Sequence, residues 1–233
     1  MPIGIIANVL AVVIGGLIGS VVKDRLSESL KENLNMIFGV SSMGMGIAGI
    51  VLMKNMPAVI LSLIAGTLFG LAVRLGERIT GLAVKAQRMI GADAGNSAKL
   101  VTVIVLFCAS GTGIYGALVS GMNGDHSILI AKSILDICTA LIFACTLGKV
   151  VSLIAIPQAV IMLVLFFLAG MIFPLTTPDM INDFKACGGF IMVATGFRIL
   201  QLKQFPTADM IPAMILVMPL SWFWSAFIIP LLG

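Results

Sequence analysis

Charge is scarce in this sequence. Asp, Glu, Lys and Arg make up 10% of its 233 residues, 60% are hydrophobic, and the mean hydropathy is +1.16. Such a composition excludes a soluble globular core and places the chain among polytopic membrane proteins. The four cysteines, Cys108, Cys138, Cys145 and Cys187, lie in or beside apolar segments with neither CxxC nor Cys/His metal spacing. They read as small buried hydrophobes. With one histidine, His126, and no HExxH, no zinc site is expected. A Ser-His pair, a metal motif and a nucleotide loop are all missing, so neither an enzyme nor a cofactor is expected. The net charge of +4 comes without a basic-aromatic run, which argues against nucleic acid and makes the cations topology signals. The first apolar segment lacks a basic leader and a small-x-small cleavage site, and reads as a retained span.

What the chain does have is apolar runs. At about 20 residues per crossing, they give eight segments: Ile3–Val22, Met36–Met53, Pro57–Leu75, Leu100–Ser120, Ser127–Leu147, Pro157–Phe173, Gly188–Leu202 and Ile211–Leu232. The expected fold is an all-α polytopic membrane protein of about eight transmembrane helices, forming one membrane domain. Seven spans, or a re-entrant hairpin in place of one crossing, is the alternative. Between the third and fourth segments, Glu77–Ile90 sets Ile79, Leu82, Ala86 and Ile90 against Arg78, Lys85 and Arg88. That is the pattern of a basic amphipathic helix on a membrane surface facing anionic lipid. Gly91–Ser97 follows as a flexible linker.

The front and rear of the chain resemble each other. Comparing position n with n+150 pairs Ser27 with Thr177, Leu30 with Met180, Leu34 with Phe184, Gly39 with Gly189 and Gly46 with Gly196. Each copy runs span, hydroxyl cap, short amphipathic helix, then a Gly-x6-Gly span. With a shifted offset, Pro57-Ala58 and Pro212-Ala213 open the third span of each. The division is therefore 1–75 as a first three-span repeat, 76–97 as amphipathic helix and linker, 98–148 as a central helix pair, and 149–233 as a second three-span repeat. Five spans separate the starts of the copies, an odd number, so the repeats are inverted. Arg74, Arg78, Lys85, Arg88 and Lys99 place the loop after the third span in the cytoplasm. Both termini, Gly124 to His126 and Asp179 to Lys185 then face the periplasm.

Within Ser127–Leu147, Lys132 and Asp136 stand four residues apart. Counting from His126 at about 1.5 Å per residue, they lie roughly 9 Å and 15 Å into a core about 30 Å thick. Charges there mark pathways or binding sites, or else lock two helices as an ion pair. Ser133 and Thr139 lie near the same side. In the preceding segment, Ser110, Gly111, Thr112 and Gly113 can unwind the helix and bind an ion or polar substrate, or can serve close helix packing. Asp125 or Ser127 caps the fifth span, and His126 is a candidate outer gate. Asn8 reads as a polar contact between helices. Pro219 is expected to kink the last span, with Trp222 and Trp224 near the interface.

Asn8, Gly15, Gly16 and Gly19 at the start, the Ser110–Gly113 run, Leu175–Pro178, the Gly188-Gly189 segment, and Gly124 to Asp136 with its Gly-Asp-x-Ser…Lys-Ser-x-x-Asp pattern together resemble the YqgA-like bacterial inner-membrane proteins, a domain-of-unknown-function family. The resemblance covers nearly the whole chain. It implies a multi-pass inner-membrane protein, loosely described as a transporter, and supplies no substrate. The function expected is a secondary transporter or permease for a small charged solute. Its site is Lys132, Asp136, Ser133, Ser110, Gly111, Thr112 and Gly113, and it is coupled to a proton or monovalent cation. The alternative is an ion channel or a non-transporting scaffold, dimeric in that case. The partners expected are the bilayer, the solute and a second copy of the chain.

Overall fold

The computed structural model describes residues 1–22, 27–90, 97–108 and 110–232, and every regular element among them is helical. In order these are α1 (Ile3–Val22), α2 (Glu28–Ile50), α3 (Met56–Ala72), α4 (Leu75–Ile90), α5 (Ser97–Cys108), α6 (Gly111–Asn123), α7 (Ser127–Leu147), α8 (Val150–Leu153), α9 (Ala155–Ile172), α10 (Pro178–Ile199), α11 (Ile211–Phe223) and α12 (Ile229–Leu232).

Among the described residues, five stretches are long and apolar enough to cross a bilayer: Ile3–Val22, Glu32–Ile50, Ser127–Leu147, Val150–Leu175 and Ile211–Leu231. Met56–Ala72 joined to Leu75–Leu82 makes a sixth if that bent pair counts as one span. The third, fourth and seventh of the eight expected segments do not qualify on length and apolarity alone, each for a local reason. The α3 helix has only 17 residues. The fourth segment is split into α5 and α6, and α10 carries Asp179, Asp183, Lys185 and Arg198.

Helix boundaries also move. In both copies the short amphipathic helix and the Gly-x6-Gly span are one continuous helix, α2 and α10. Asp179 to Lys185 is therefore the first turns of α10 rather than a connection. The expected caps are in place at matching positions: the Ser27 hydroxyl accepts from the Leu30 amide and the Thr177 hydroxyl from the Met180 amide, each at 3.3 Å. The basic amphipathic helix is α4; most of the expected linker, 91–96, lies outside the described residues. Pro219 sits inside α11, which continues into a π-helical turn over Trp224–Ile228 before α12.

Two compact units divide the described residues. The first comprises Met1–Phe38 and Glu77–Met171. Its centre is the pairing of α1 with α7. Gly15 and Gly19 abut the backbone carbonyls of Ile137 and Leu141, so closely that a Cβ on either glycine would lie 2.2 Å from the oxygen. The constant offset between these contacts means that α1 and α7 run in the same direction. Small residues are what such an approach demands where lipid, rather than water, is displaced. Gly121 of α6 makes the same kind of contact with the Phe166 carbonyl of α9, and Val12, Leu100, Phe107, Ala140 and Ile154 fill the core.

The second unit comprises Gly39–Gly76 and Ile172–Gly233. Here α2 packs on α10 with Gly46 against the Gly189 carbonyl and Gly196 against the Gly39 carbonyl, so the two helices are antiparallel. At the middle of the crossing the Ser42 hydroxyl donates to the Met192 carbonyl at 3.0 Å. Next to them α3 packs on α11, with Gly66 meeting Ala213 and Gly70 the Asp209 carbonyl, again antiparallel.

Candidate functional site

In the first unit, α7 holds Lys132 and Asp136 on one face, and both are buried, 4% and 6% exposed. The Lys132 ammonium donates to both carboxylate oxygens, to Oδ1 at 2.7 Å and Oδ2 at 2.6 Å. On the other side Asn8, from α1, donates through Nδ2 to Asp136 Oδ2 at 2.8 Å. Gln158, from α9, donates through Nε2 to Asn8 Oδ1 at 2.7 Å, with a long 3.5 Å approach to Asp136 Oδ2. Asn8 and Gln158 are fully buried. Three helices thus contribute four polar side chains to one apolar interior, where each would be costly alone. The carboxylate fixes the orientation of both amides: Asp136 Oδ2 requires the Asn8 amino group, and the Asn8 oxygen that remains requires the Gln158 amino group. One acceptor is left over. Gln158 Oε1 is buried and has no hydrogen-bond partner among the described residues.

Beside this network the fourth segment is interrupted at Ser110, whose backbone is extended just before α6 begins at Gly111. Ser110 is the N-cap of α6, its hydroxyl accepting from the Gly113 amide at 3.0 Å. The Lys132 stem runs along this first turn: a Cβ on Gly113 would lie 3.1 Å from Lys132 Cε and 3.2 Å from the Ser110 hydroxyl. Phe107, in the last turn of α5, presents its ring 5.8 Å from Lys132 Nζ, at the outer reach of a cation–π contact. Gly111 opens α6 and Thr112 is buried behind it.

Other expected residues do other work. The hydroxyls of Ser133 and Thr139 donate back to the Leu129 and Leu135 carbonyls, at 2.6 and 2.8 Å, and so turn into their own helix rather than toward Asp136. Such back-bonding is what a hydroxyl in an apolar helix does when no better acceptor is in reach. Asp125 is the capping side chain of α7, accepting from the Ser127 amide at 3.0 Å and from the Ser127 hydroxyl at 2.6 Å. Ser127 therefore donates and does not cap. His126 occupies the N-cap position without a side-chain cap bond, and its Nδ1 instead pairs with the Ser120 hydroxyl at 2.7 Å.

Sequence reasoning missed Gln158 and a second buried acid, Asp183. Gln158 carried one signal: it stands at the repeat offset of 150 from Asn8. Asp183, fully buried in the second unit, accepts four hydrogen bonds. These come from the Lys54 and Asn55 amides at 2.7 and 2.9 Å, from Asn55 Nδ2 at 2.8 Å and from the Ser221 hydroxyl at 2.6 Å. Asn55 is the N-cap of α3, so the carboxylate sits at the positive end of that helix.

A bundle of apolar helices enclosing a charged, hydrogen-bonded network defines an integral membrane protein. The chain matches the family described as "Protein of unknown function (DUF554)" over residues 3–222, and it belongs to that family. It is 46% identical over 232 residues to "Uncharacterized protein YqgA" of Escherichia coli (strain K12), covering 97% of this chain and 99% of that protein. It is 26% identical over 226 residues to "Uncharacterized membrane protein YdfK" of Bacillus subtilis (strain 168), covering 91% and 93%. No solved structure matches it.

Proposed function

We propose that this protein is a secondary transporter or permease of the bacterial inner membrane for a small charged solute, built from two inverted three-helix repeats. The observation that carries the reading is the Lys132–Asp136–Asn8–Gln158 network, charged and buried beside the helix break at Ser110. Intramembrane charge next to interrupted helix is where transporters place their substrates. The break supplies helix-terminal backbone groups without intrahelical partners, and the Lys/Asp pair supplies charge of either sign. No catalytic chemistry forms part of the reading.

The contacts support the inverted repeat. If two helices are related by a two-fold axis and residue i touches the counterpart of j, then j touches the counterpart of i. Under the offset of 150, Gly39 corresponds to Gly189 and Gly46 to Gly196, and Gly46 meets Gly189 while Gly39 meets Gly196. A residue on such an axis touches its own counterpart, as Ser42 does Met192 within the second unit and, taken separately, Asn8 does Gln158 within the first. With α4 on the cytoplasmic side, as its basic residues favour, an inverted pair has both termini in the periplasm.

Uptake of labelled organic anions and inorganic ions into proteoliposomes tests the reading. Solute movement lost in Asp136→Asn is expected, and a protein that moves none of them sinks it. A second reading, a non-transporting scaffold, has its own observation: Lys132 and Asp136 are buried and paired with each other within α7, while Asn8 ties Asp136 to α1. Under that reading, replacing both with apolar residues leaves every function of the protein in the cell intact.

A further inference from the structure

The orphan acceptor at Gln158 says more about the ligand, and this inference rests on the transport reading above. We propose that the Asp136 carboxylate and the Gln158 carboxamide oxygen bind a small monovalent metal cation, for which the ammonium of Lys132 substitutes at the carboxylate alone, leaving the Gln158 oxygen unpaired.

Hydrogen-bond polarity identifies the site. Every donor of the network points toward Asp136: Lys132 and Asn8 directly, and Gln158 through Asn8. Reversing the Gln158 amide would set its oxygen against Asn8 Oδ1 and Asp136 Oδ2, so the unpaired Oε1 is imposed by the charge of the acid. A buried amide oxygen without a donor is unfavourable, and a cation cures that as well as an N–H does.

The donor set selects the kind of ion. Carboxylate and carboxamide oxygens are hard ligands that suit alkali and alkaline-earth cations rather than soft metals. Among the described residues no cluster of His, Cys, Asp and Glu suits a transition metal. A single carboxylate balances a single positive charge, so a monovalent ion in place of the ammonium leaves the pair with Asp136 neutral.

The displaced lysine has somewhere to go. Lys132 Nζ already faces Phe107 in the last turn of α5, a helix end whose final carbonyls lack intrahelical donors and attract positive charge. Binding then exchanges one cation for another at Asp136 and moves Lys132 toward the break. An ion in the solution thereby controls the helix interruption at which the solute is proposed to bind.

Thermal unfolding of the full chain in nanodiscs of phosphatidylethanolamine and phosphatidylglycerol tests this, in lithium, sodium, potassium or choline chloride at equal ionic strength. Lys132→Met removes the internal competitor and is expected to raise Tm by about 2–4 °C in one of the metal salts relative to choline. The rise should vanish in Lys132→Met/Gln158→Leu. Equal Tm in all four salts for Lys132→Met overturns the site, and a rise that survives Gln158→Leu overturns the role given to Gln158. If Lys132→Met does not fold, equilibrium binding of radioactive sodium, with a rubidium tracer standing in for potassium, is measured on the unmutated chain. Saturable binding that Asp136→Asn abolishes is expected, and absence of both defeats the proposal. Ion binding by a chain that moves no solute would sink transport and leave this site standing; transport without any ion-specific shift would do the reverse.

Discussion

Asp136 and Asp183 are both buried acids, yet they are stabilised by opposite means. Asp136 is held by a cation and one amide, Asp183 by four uncharged donors at the start of α3. Asp136→Leu strands the Lys132 ammonium and is expected to destabilise the protein by about 3–5 kcal/mol. The double variant Lys132→Met/Asp136→Leu, with no charge left to bury, is expected to recover most of that in thermal unfolding while abolishing uptake. Asp183→Ala is expected to cost at least about 1–3 kcal/mol, because it leaves the Lys54 and Asn55 amides without an acceptor. Amide hydrogen exchange at those two residues should rise with it. The Lys132/Asp136 pair was legible in the sequence because i,i+4 spacing sets both on one face and charge is conspicuous in an apolar run. Gln158 was not, since one uncharged amide in such a run stands out little and its partner lies 150 residues away. Asp183 falls outside the segment expected from Gly188 because the helix that holds it begins ten residues earlier, at Pro178.

At the level of elements, the crossings are made by backbones. Gly15 and Gly19 of α1 against α7, Gly46 of α2 against α10 and Gly70 beside Asp209 leave no room for a Cβ without displacing a carbonyl. Gly19→Leu and Gly46→Leu are each expected to cost about 1–3 kcal/mol or more by overpacking, read as a fall in Tm. Gly44, with open space around its Cα, should accept alanine with little effect. Ser110→Ala removes the cap of α6 and should cost about 1 kcal/mol. The sequence announced the break at Ser110 through clustered glycines and hydroxyls, and the caps at Ser27 and Thr177 through their position ahead of amphipathic turns. It could not settle which apolar segments are spans. Hydropathy measures transfer into lipid, and α10, with most of its residues turned toward protein, tolerates charges that lipid would reject.

For the whole molecule, the inverted arrangement proposed above puts Asp125 and Lys85 on opposite sides of the membrane. In spheroplasts of a bacterial host, an impermeant thiol reagent should label a cysteine at Asp125 and spare one at Lys85, in a background with the four native cysteines replaced. Labelling at Lys85 alone would reverse the orientation, and labelling at both would contradict the single topology. Residues 39–76 belong to a unit whose remainder begins at Ile172, so the ribosome must make the whole of 77–171 first. At about 5–20 residues per second this is a delay of roughly 5–20 s, during which α3 and the glycine face of α2 lie in the bilayer without α10 and α11. Nascent chains halted before residue 172 should therefore be prime substrates for membrane proteases, and the newborn protein depends on its last helices to escape them.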